Sequence, residues 1–89
     1  MNVMMLAPGD SVAVALTGLT SGVTLDDTDI TVLTHIDAGH KVAVRDIAAG
    51  EDVIKYGYPI GHATTPIKAG EWVHSHNLAT NLDANLAYR

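Results

Sequence analysis

The sequence reads IDAGHKV at residues 36–42, and the same pattern returns as IAAGEDV at residues 47–53 and as IKAGEWV at residues 67–73. A looser copy, LTSGVTL, precedes these three at residues 19–25, so that along the chain it is the first of four. Each copy has an apolar first residue, a small third residue, a glycine and an apolar seventh residue. Glycine at a fixed place indicates a turn that needs a positive φ, with extended chain on either side. The repeated unit therefore predicts a small β fold whose strands begin after similar corners.

Stretches rich in β-branched and aromatic residues between these turns are the strand candidates. They are Ser11–Leu16, Ile30–His35, Lys41–Arg45, Val53–Tyr56 and Trp72–Asn77. The tail from Leu78 to Tyr88 has leucine at every fourth position, which predicts a short helix or an irregular segment ordered against a partner. The fold class is mainly β, with residues 1–77 as the domain and residues 78–89 as a C-terminal tail.

The length and composition restrict what the chain can do. At 89 residues it is one small domain, which buries only about 60% of the surface of its unfolded chain. It contains no cysteine, which excludes disulfides, thiolate zinc sites and thiol nucleophiles. The longest apolar runs are far shorter than the ~20 residues of a membrane span, and no basic segment suggests an export signal. We therefore expect a cytoplasmic protein that does not enter a membrane.

The charge of the chain is uneven. Residues 1–40 hold five Asp and no Lys or Arg, whereas residues 41–89 hold five basic and five acidic groups, so the net charge of −5 comes from the first part. Phosphate neutralisation supplies most of the affinity for nucleic acid, and this chain has no basic cluster with which to provide it. We therefore expect no nucleic-acid partner.

Three longer motifs are more specific: AGHKVAVRDI at residues 38–47, VIKYGYPIGHA at residues 53–63 and IKAGEWVHSHN at residues 67–77. In this order they resemble the N-terminal SAF-type (β-clip) domain of altronate dehydratases. TNL at residues 80–82, with Tyr88, is similar to the stretch that leads into the large catalytic domain of the fused enzymes. The resemblance implies a small SAF-type β-clip fold, either as a separate small subunit or as part of a longer enzyme.

The resemblance also implies an activity. The family consists of hydro-lyases that remove water from a sugar acid such as D-altronate and leave a 2-keto-3-deoxy acid. It implies a divalent metal, Fe²⁺ or alternatively Mn²⁺, held mainly by a large catalytic subunit or domain. The expected partners are that large subunit and an anionic sugar-acid substrate, while a homo-oligomer stays open. This chain is expected to complete an active site and to be inactive alone.

His74 and His76 are the candidate metal ligands. On a strand, residues two apart point the same way and lie about 6.5–7 Å apart, so both imidazoles would converge on one ligand. Imidazole is a common ligand of iron-group metals, but two are too few for a closed site, and further ligands would come from carboxylates of this chain or its partner. The alternative is a pair of exposed or interface histidines bonded to backbone.

The resemblance makes His40 and Lys41 the candidate catalytic residues, in a cleft shared with the large subunit. Lys41, Arg45 and Lys55 are the candidate substrate-binding cations. Lys41 and Arg45 share one face of the predicted strand, so that a carboxylate would be held between two cations. An ordinary solvated strand face, with Lys55 extending to water, is the alternative.

Two other functions compete with a sugar-acid dehydratase. The first is the small subunit of a sulfolactate sulfo-lyase, which uses a similar domain, although VIKYGYP at residues 53–59 and TNL at residues 80–82 are more altronate-like. The second is a non-catalytic SAF module for carbohydrate binding or assembly, as in pilus and flagellar assembly proteins and sialic acid synthases. The extracytoplasmic uses predict an export signal, which the sequence does not display.

Overall fold

The computed structural model describes residues 1–5 and 7–80, which form seven strands and no helix. The strands are β1 (Val3–Met4), β2 (Val12–Ala15), β3 (Lys41–Ala43), β4 (Asp52–Lys55), β5 (Tyr58–Ala63), β6 (Trp72–Val73) and β7 (Leu78–Ala79). They pair antiparallel in two sheets, one in the order β1-β2-β3-β6 and one in the order β4-β5-β7. The predicted mainly β class is confirmed. Within the same residues, no helix has the length and apolarity needed to cross a membrane.

The repeated unit forms the same corner four times. In every copy the N–H of the fifth residue donates to the carbonyl of the second residue, at 2.9–3.1 Å. The glycine between them has a φ between 84° and 96°. A glycine with positive φ at the third place of a four-residue turn is the type II arrangement. The turn glycines predicted at Gly39, Gly50 and Gly70 are confirmed.

The copies pair through their first residues. Leu19 and Ile36 exchange two backbone N–H···O bonds of 2.8 Å, and Ile47 and Ile67 do the same. All four side chains are buried, and so are the apolar seventh residues of the copies. The first two copies along the chain supply one hydrophobic cluster, and the last two supply a second cluster.

Strands β2 and β3 lie between the two clusters. Ala13 and Val42 face the first cluster, whereas Val12 and Ala43 face the second. Successive residues of a strand point to opposite faces, so both faces of this strand pair are buried. This explains why β2 is apolar at every position instead of alternating with polar residues.

The strand predicted at Ile30–His35 is wrong. Within this stretch only Thr31 pairs, in a single bridge to Thr24, and the N–H of Leu33 donates to the carbonyl of Gly70 at 2.9 Å. The stretch crosses over the fourth corner, where a Cβ on Gly70 would collide with the carbonyl oxygen of Thr31. Its backbone is therefore divided between that corner and residues 22–25, with which it makes three hydrogen bonds, and it forms no longer ladder along a neighbouring strand.

Strands β1, β5 and β7 were not predicted. Pro59 and Gly61 in β5 are typical of loops, but Pro59 lies opposite Ile54 beside a bulge, and a Cβ on Gly61 would collide with the backbone of Ala79 in β7. The helix predicted from Leu78 is wrong at its start, because Leu78–Ala79 form β7. Its remainder, residues 81–88, lies outside the described residues, and the division at residue 77 stays a prediction.

Gly39→Ala and Gly70→Ala are expected to destabilise the fold to different extents. Both glycines have a positive φ, at 86° and 93°, and such a backbone costs an L-residue about 1–2 kcal/mol. A Cβ at position 39 meets nothing within 4 Å, whereas at position 70 it collides with backbone, which adds about 1–3 kcal/mol. Urea unfolding of the two variants should therefore give the larger loss for Gly70→Ala. Equal losses would contradict the assigned packing.

Candidate functional site

Trp72 contacts three imidazoles in a group that we call the histidine cluster: His40, Trp72, His74 and His76. His74 stacks on the indole, with ring centroids 5.1 Å apart and 11° between the planes. His76 and His40 contact the indole in tilted geometry at 4.9 Å and 5.8 Å. The rings of His40 and His74 lie 5.3 Å apart. The structure therefore brings together three residues that the sequence assigned to two separate roles.

Pairing between β3 and β6 creates this group. Val42 lies opposite Trp72 in the sheet, and His40 immediately precedes β3 on the same face as Val42. The indole packs against the first hydrophobic cluster, and its Nε1–H donates to Nδ1 of His40 at 3.2 Å. His40 is half-buried, whereas His74 and His76 are exposed.

The prediction that His74 and His76 lie on a strand is wrong. Strand β6 ends at Val73, and residues 74–77 form a turn. The buried Asn77 closes this turn: its Oδ1 accepts the N–H of His74 at 2.9 Å, and its Nδ2 donates to the carbonyl of Trp72 at 2.9 Å. The two imidazoles approach Trp72 because of the turn, and not because of strand periodicity.

The histidines fit a metal only in part. Over residues 1–5 and 7–80, no group of three or more His, Asp or Glu side chains is placed to hold a metal ion. His74 and His76 are exposed and are suitable ligands for iron-group metals, so they are able to complete a ligand set supplied from outside this segment. Their role as metal ligands stays a prediction.

Lys41 lies on the opposite face of the sheet from His40. It is the residue after His40 along the chain, and it pairs with Val14 on one side and Val73 on the other. Burial lowers the pKa of Lys41, and the ammonium group of Lys55 lowers it further. The structure therefore places Lys41 near Lys55 and separates it from the histidine cluster.

The prediction that Lys41 and Arg45 share one face of a strand is wrong. Strand β3 ends at Ala43, and the chain bends before Arg45. The guanidinium instead donates to Oε2 of Glu51 at 2.7 Å and to the hydroxyl of Ser11 at 3.0 Å. Arg45 is therefore already engaged within the fold, and its role in substrate binding stays a prediction.

A buried carboxylate that the sequence reasoning missed organises the tip of the β4–β5 hairpin. Asp10 is 2% exposed, and it accepts the N–H groups of Tyr56 and Gly57 at 2.9 Å and that of Ala7 at 3.1 Å. Tyr56 has a φ of 58° and Gly57 a φ of 81°, as a two-residue hairpin turn requires. The available signal was Gly57, directly after the strand predicted at Val53–Tyr56, and the turn takes Tyr56 out of that strand. The tip exposes Tyr56 and Tyr58 beside Lys55.

A groove of about 470 Å³ lies apart from the histidine cluster. Met1, Met4 and Met5 line it together with Asp26 and Asp27. Of the predicted site residues, only Arg45 reaches its wall. Groove volume alone would therefore point to a different surface from the one that carries the imidazoles.

Sequence comparison identifies the family. The profile of the altronate/galactarate dehydratase SAF domain matches residues 1–81. The chain belongs to this family. The SAF-type assignment made from the three motifs is thereby confirmed.

Several curated relatives carry this SAF domain. The chain is 49% identical over 82 residues to an altronate dehydratase of Escherichia coli (strain K12), a match that covers 90% of the chain and 17% of that protein. It is 41% identical over 75 residues to an altronate dehydratase of Bacillus subtilis (strain 168), covering 82% and 15%. It is also 42% identical over 60 residues to a (2R)-sulfolactate sulfo-lyase subunit alpha of Paracoccus pantotrophus, covering 65% and 90%. The SAF domain thus spans a small part of the dehydratases and most of the sulfo-lyase subunit.

The stability of the SAF domain relative to its Lys41→Met variant is expected to depend on pH. Because the pKa of Lys41 is lowered by burial and then by Lys55, the unfolded chain holds this proton more tightly than the folded chain does. The charged Lys41 therefore destabilises the folded state. This destabilisation is fully present at neutral pH, where Lys41 is charged in both states, and it is relieved as the pH rises from the lowered pKa towards 10.5.

Urea unfolding at pH 7 and pH 10 tests this coupling. The free energy of unfolding of the wild type, relative to that of Lys41→Met, is expected to be higher at pH 10 than at pH 7. In a Lys55→Met background the gain should shrink, because the repulsion from Lys55 is removed while the burial of Lys41 remains. A difference between wild type and Lys41→Met that is the same at both pH values would contradict the assigned environment.

Proposed function

We propose that this SAF domain supplies one wall of the active site of a metal-dependent sugar-acid dehydratase, whose remaining parts lie on a large catalytic subunit or domain. The observation that carries the proposal is the histidine cluster: three imidazoles gathered around one indole, two of them exposed, in a chain of a dehydratase domain family. A separate large part is supported by the coverage of the altronate dehydratases, of which the chain spans 15–17%.

The proposed reaction is the dehydration of D-altronate or a related sugar acid. A base removes the proton on the carbon next to the carboxylate, and the hydroxyl on the following carbon leaves as water after taking up a proton. The resulting enol becomes the 2-keto-3-deoxy acid when its hydroxyl proton moves to the third carbon. The step needs groups that stabilise negative charge on the carboxylate and assist the departing oxygen.

The histidine cluster is suited to these tasks because imidazole is a common general acid or base and donates hydrogen bonds to anionic oxygens. His40 is the candidate catalytic residue of the cluster, and His74 and His76 are the candidate ligands of a divalent metal. Such an ion, Fe²⁺ or Mn²⁺, would stabilise the enolate-like charge and assist the leaving oxygen when bound. Most of its ligands are assigned to the large part, because His74 and His76 alone cannot enclose it.

Lys41 and Lys55 offer a second surface for an anionic substrate. They are half-buried, and within the described residues neither forms an ion pair with an acidic side chain. Burial and then the repulsion from Lys55 lower the pKa of Lys41, and a carboxylate placed between the two lysines would relieve the repulsion. We assign them to substrate binding, separately from the proton transfer at the histidine cluster, and we assign the assembled enzyme to the cytoplasm.

A sulfo-lyase subunit is the second candidate. The match to the subunit alpha of Paracoccus pantotrophus covers 90% of that protein, so this subunit consists mostly of the segment that it shares with the chain. The match to the altronate dehydratase of Escherichia coli covers 90% of this chain, against 65% for that subunit. The longer match favours the dehydratase, and an assay of both substrates separates the two.

A chimera provides the test. Residues 1–81 of this chain replace the matching segment of the Escherichia coli altronate dehydratase, so that the large part is supplied whether or not the two are naturally fused. With Fe²⁺ the chimera is expected to dehydrate altronate, whereas the isolated chain is expected to have no activity. Activity of the isolated chain would show that the catalytic groups lie on this domain and not on the large part. A correctly folded chimera without activity on altronate would remove the dehydratase assignment.

His74→Ala and His76→Ala are expected to lower turnover of the chimera at least about tenfold, which corresponds to ~1.4 kcal/mol in the barrier. Both side chains are exposed but contact the Trp72 indole, so the free energy of unfolding should fall by no more than about 1.5 kcal/mol. His35→Ala is the matched control, because His35 is also exposed and its ring bonds to Asp37, which is not a member of the histidine cluster.

The opposite pattern would contradict the site assignment. If the pair only supports the fold or the docking of the large part, melting temperature or association falls while turnover of the assembled enzyme is preserved. A fully assembled double variant with unchanged metal content and unchanged turnover would remove both histidines from the active site.

A further inference from the structure

The hydrogen bond between Trp72 and His40 determines which nitrogen of the imidazole carries the proton. An indole has one N–H and no acceptor, so Trp72 acts only as a donor. Its Nε1 lies 3.2 Å from Nδ1 of His40. An imidazole nitrogen accepts a hydrogen bond only when it bears no proton. A neutral His40 in this contact therefore carries its proton on Nε2.

We propose that Trp72 is a positioning residue that holds His40 as the Nε2–H tautomer, and that His40 is a hydrogen-bond donor to a carboxylate or hydroxyl oxygen and not a metal ligand. Which tautomer His40 adopts depends on this chain alone. The hydrogen bond from His40 to a substrate oxygen rests on the proposed function.

The same contact argues against His40 as a ligand. A neutral imidazole that binds a metal through Nε2 holds its proton on Nδ1 and donates it to an acceptor. Here that position faces the indole N–H, so two donors would oppose each other. Ligation through Nδ1 would require Trp72 to leave. The 5.3 Å separation between the rings of His40 and His74 would by itself suggest a shared metal, but the hydrogen bond assigns His40 a different task.

The position of the indole is fixed by several contacts, so that it can determine the tautomer of His40. It packs against the first hydrophobic cluster on one side and stacks with His74 at 11°. Its backbone is fixed by the pairing with Val42 and by the bond from Nδ2 of Asn77 to its carbonyl. Rotation of the indole away from His40 would disrupt its packing against that cluster and its stacking on His74.

Nitrogen-15 spectroscopy of the imidazole rings in the full 89-residue chain tests the tautomer directly. At a pH where the ring is neutral, the two-bond proton–nitrogen correlations of His40 are expected to show a protonated Nε2 and an unprotonated Nδ1. A protonated Nδ1 in the wild-type protein would overturn the proposal without recourse to any variant.

Trp72→Phe removes the donor and keeps an aromatic ring, and it is expected to let the Nδ1–H tautomer of His40 appear. His74→Ala is the matched control, because it removes the stacking partner and leaves the donor, so His40 should stay Nε2–H. Backbone amide spectra verify that both variants are folded. An unchanged tautomer in folded Trp72→Phe would mean that Trp72 does not set it.

Zinc added to the same labelled chain tests the second half of the proposal. Any response is expected at His74 and His76, while His40 keeps the proton on Nε2. Loss of the Nε2 proton with zinc bound at that nitrogen would overturn it.

The active chimera separates the substrate role from the proposed function itself. His40→Ala should lower kcat/KM by about 10- to 100-fold, the effect of losing one hydrogen bond to a charged group. His40→Gln places an amide N–H near the former Nε2–H and should restore most of that loss, whereas His40→Asn should not. An inactive chimera removes the proposed function and leaves the tautomer standing. Equal activities of the Gln and Asn variants remove the donor role.

Discussion

The reciprocal backbone bonds between Leu19 and Ile36, and between Ile47 and Ile67, are the constraint on which this fold depends. Each pair joins two copies of one glycine corner, and each corner buries an apolar residue at its start and at its end. Two joined corners make one hydrophobic cluster, so four corners make two clusters, with β2 and β3 between them. A chain of this size forms its core from one repeated turn, and it does not need long strands or large sheets to do so.

The histidine cluster is a product of the same corners. His40 is the fifth residue of the second copy and Trp72 the sixth residue of the fourth copy, and the pairing of β3 with β6 brings the two corners side by side. The turn closed by Asn77 then folds His74 and His76 back towards the indole. Lys41 leaves the corner one residue later than His40 and therefore lies on the other face. Imidazole chemistry and cationic binding are thus assigned to separate surfaces.

The local features were predictable from the sequence, and those that depend on distant contacts were not. Glycine spacing gave the corners, because a positive φ is a property of the glycine itself. The strand predicted at Ile30–His35 was wrong because the backbone there lies over Gly70, a residue far along the chain. The extension of β6 to Asn77 was wrong because the Asn77 side chain bonds the backbone at residues 72 and 74. The contact of His40 with Trp72 requires the β3–β6 register, which no single motif displays.

We propose that the histidine cluster of this SAF domain faces the substrate of a larger enzyme. The most direct measurement is a crystal structure of the active chimera with a 2-keto-3-deoxy acid bound. We expect an oxygen of that ligand within about 3 Å of Nε2 of His40, with His74 and His76 facing the same cavity. A ligand bound elsewhere, with all three imidazoles turned to solvent or to a surface without substrate, would contradict it.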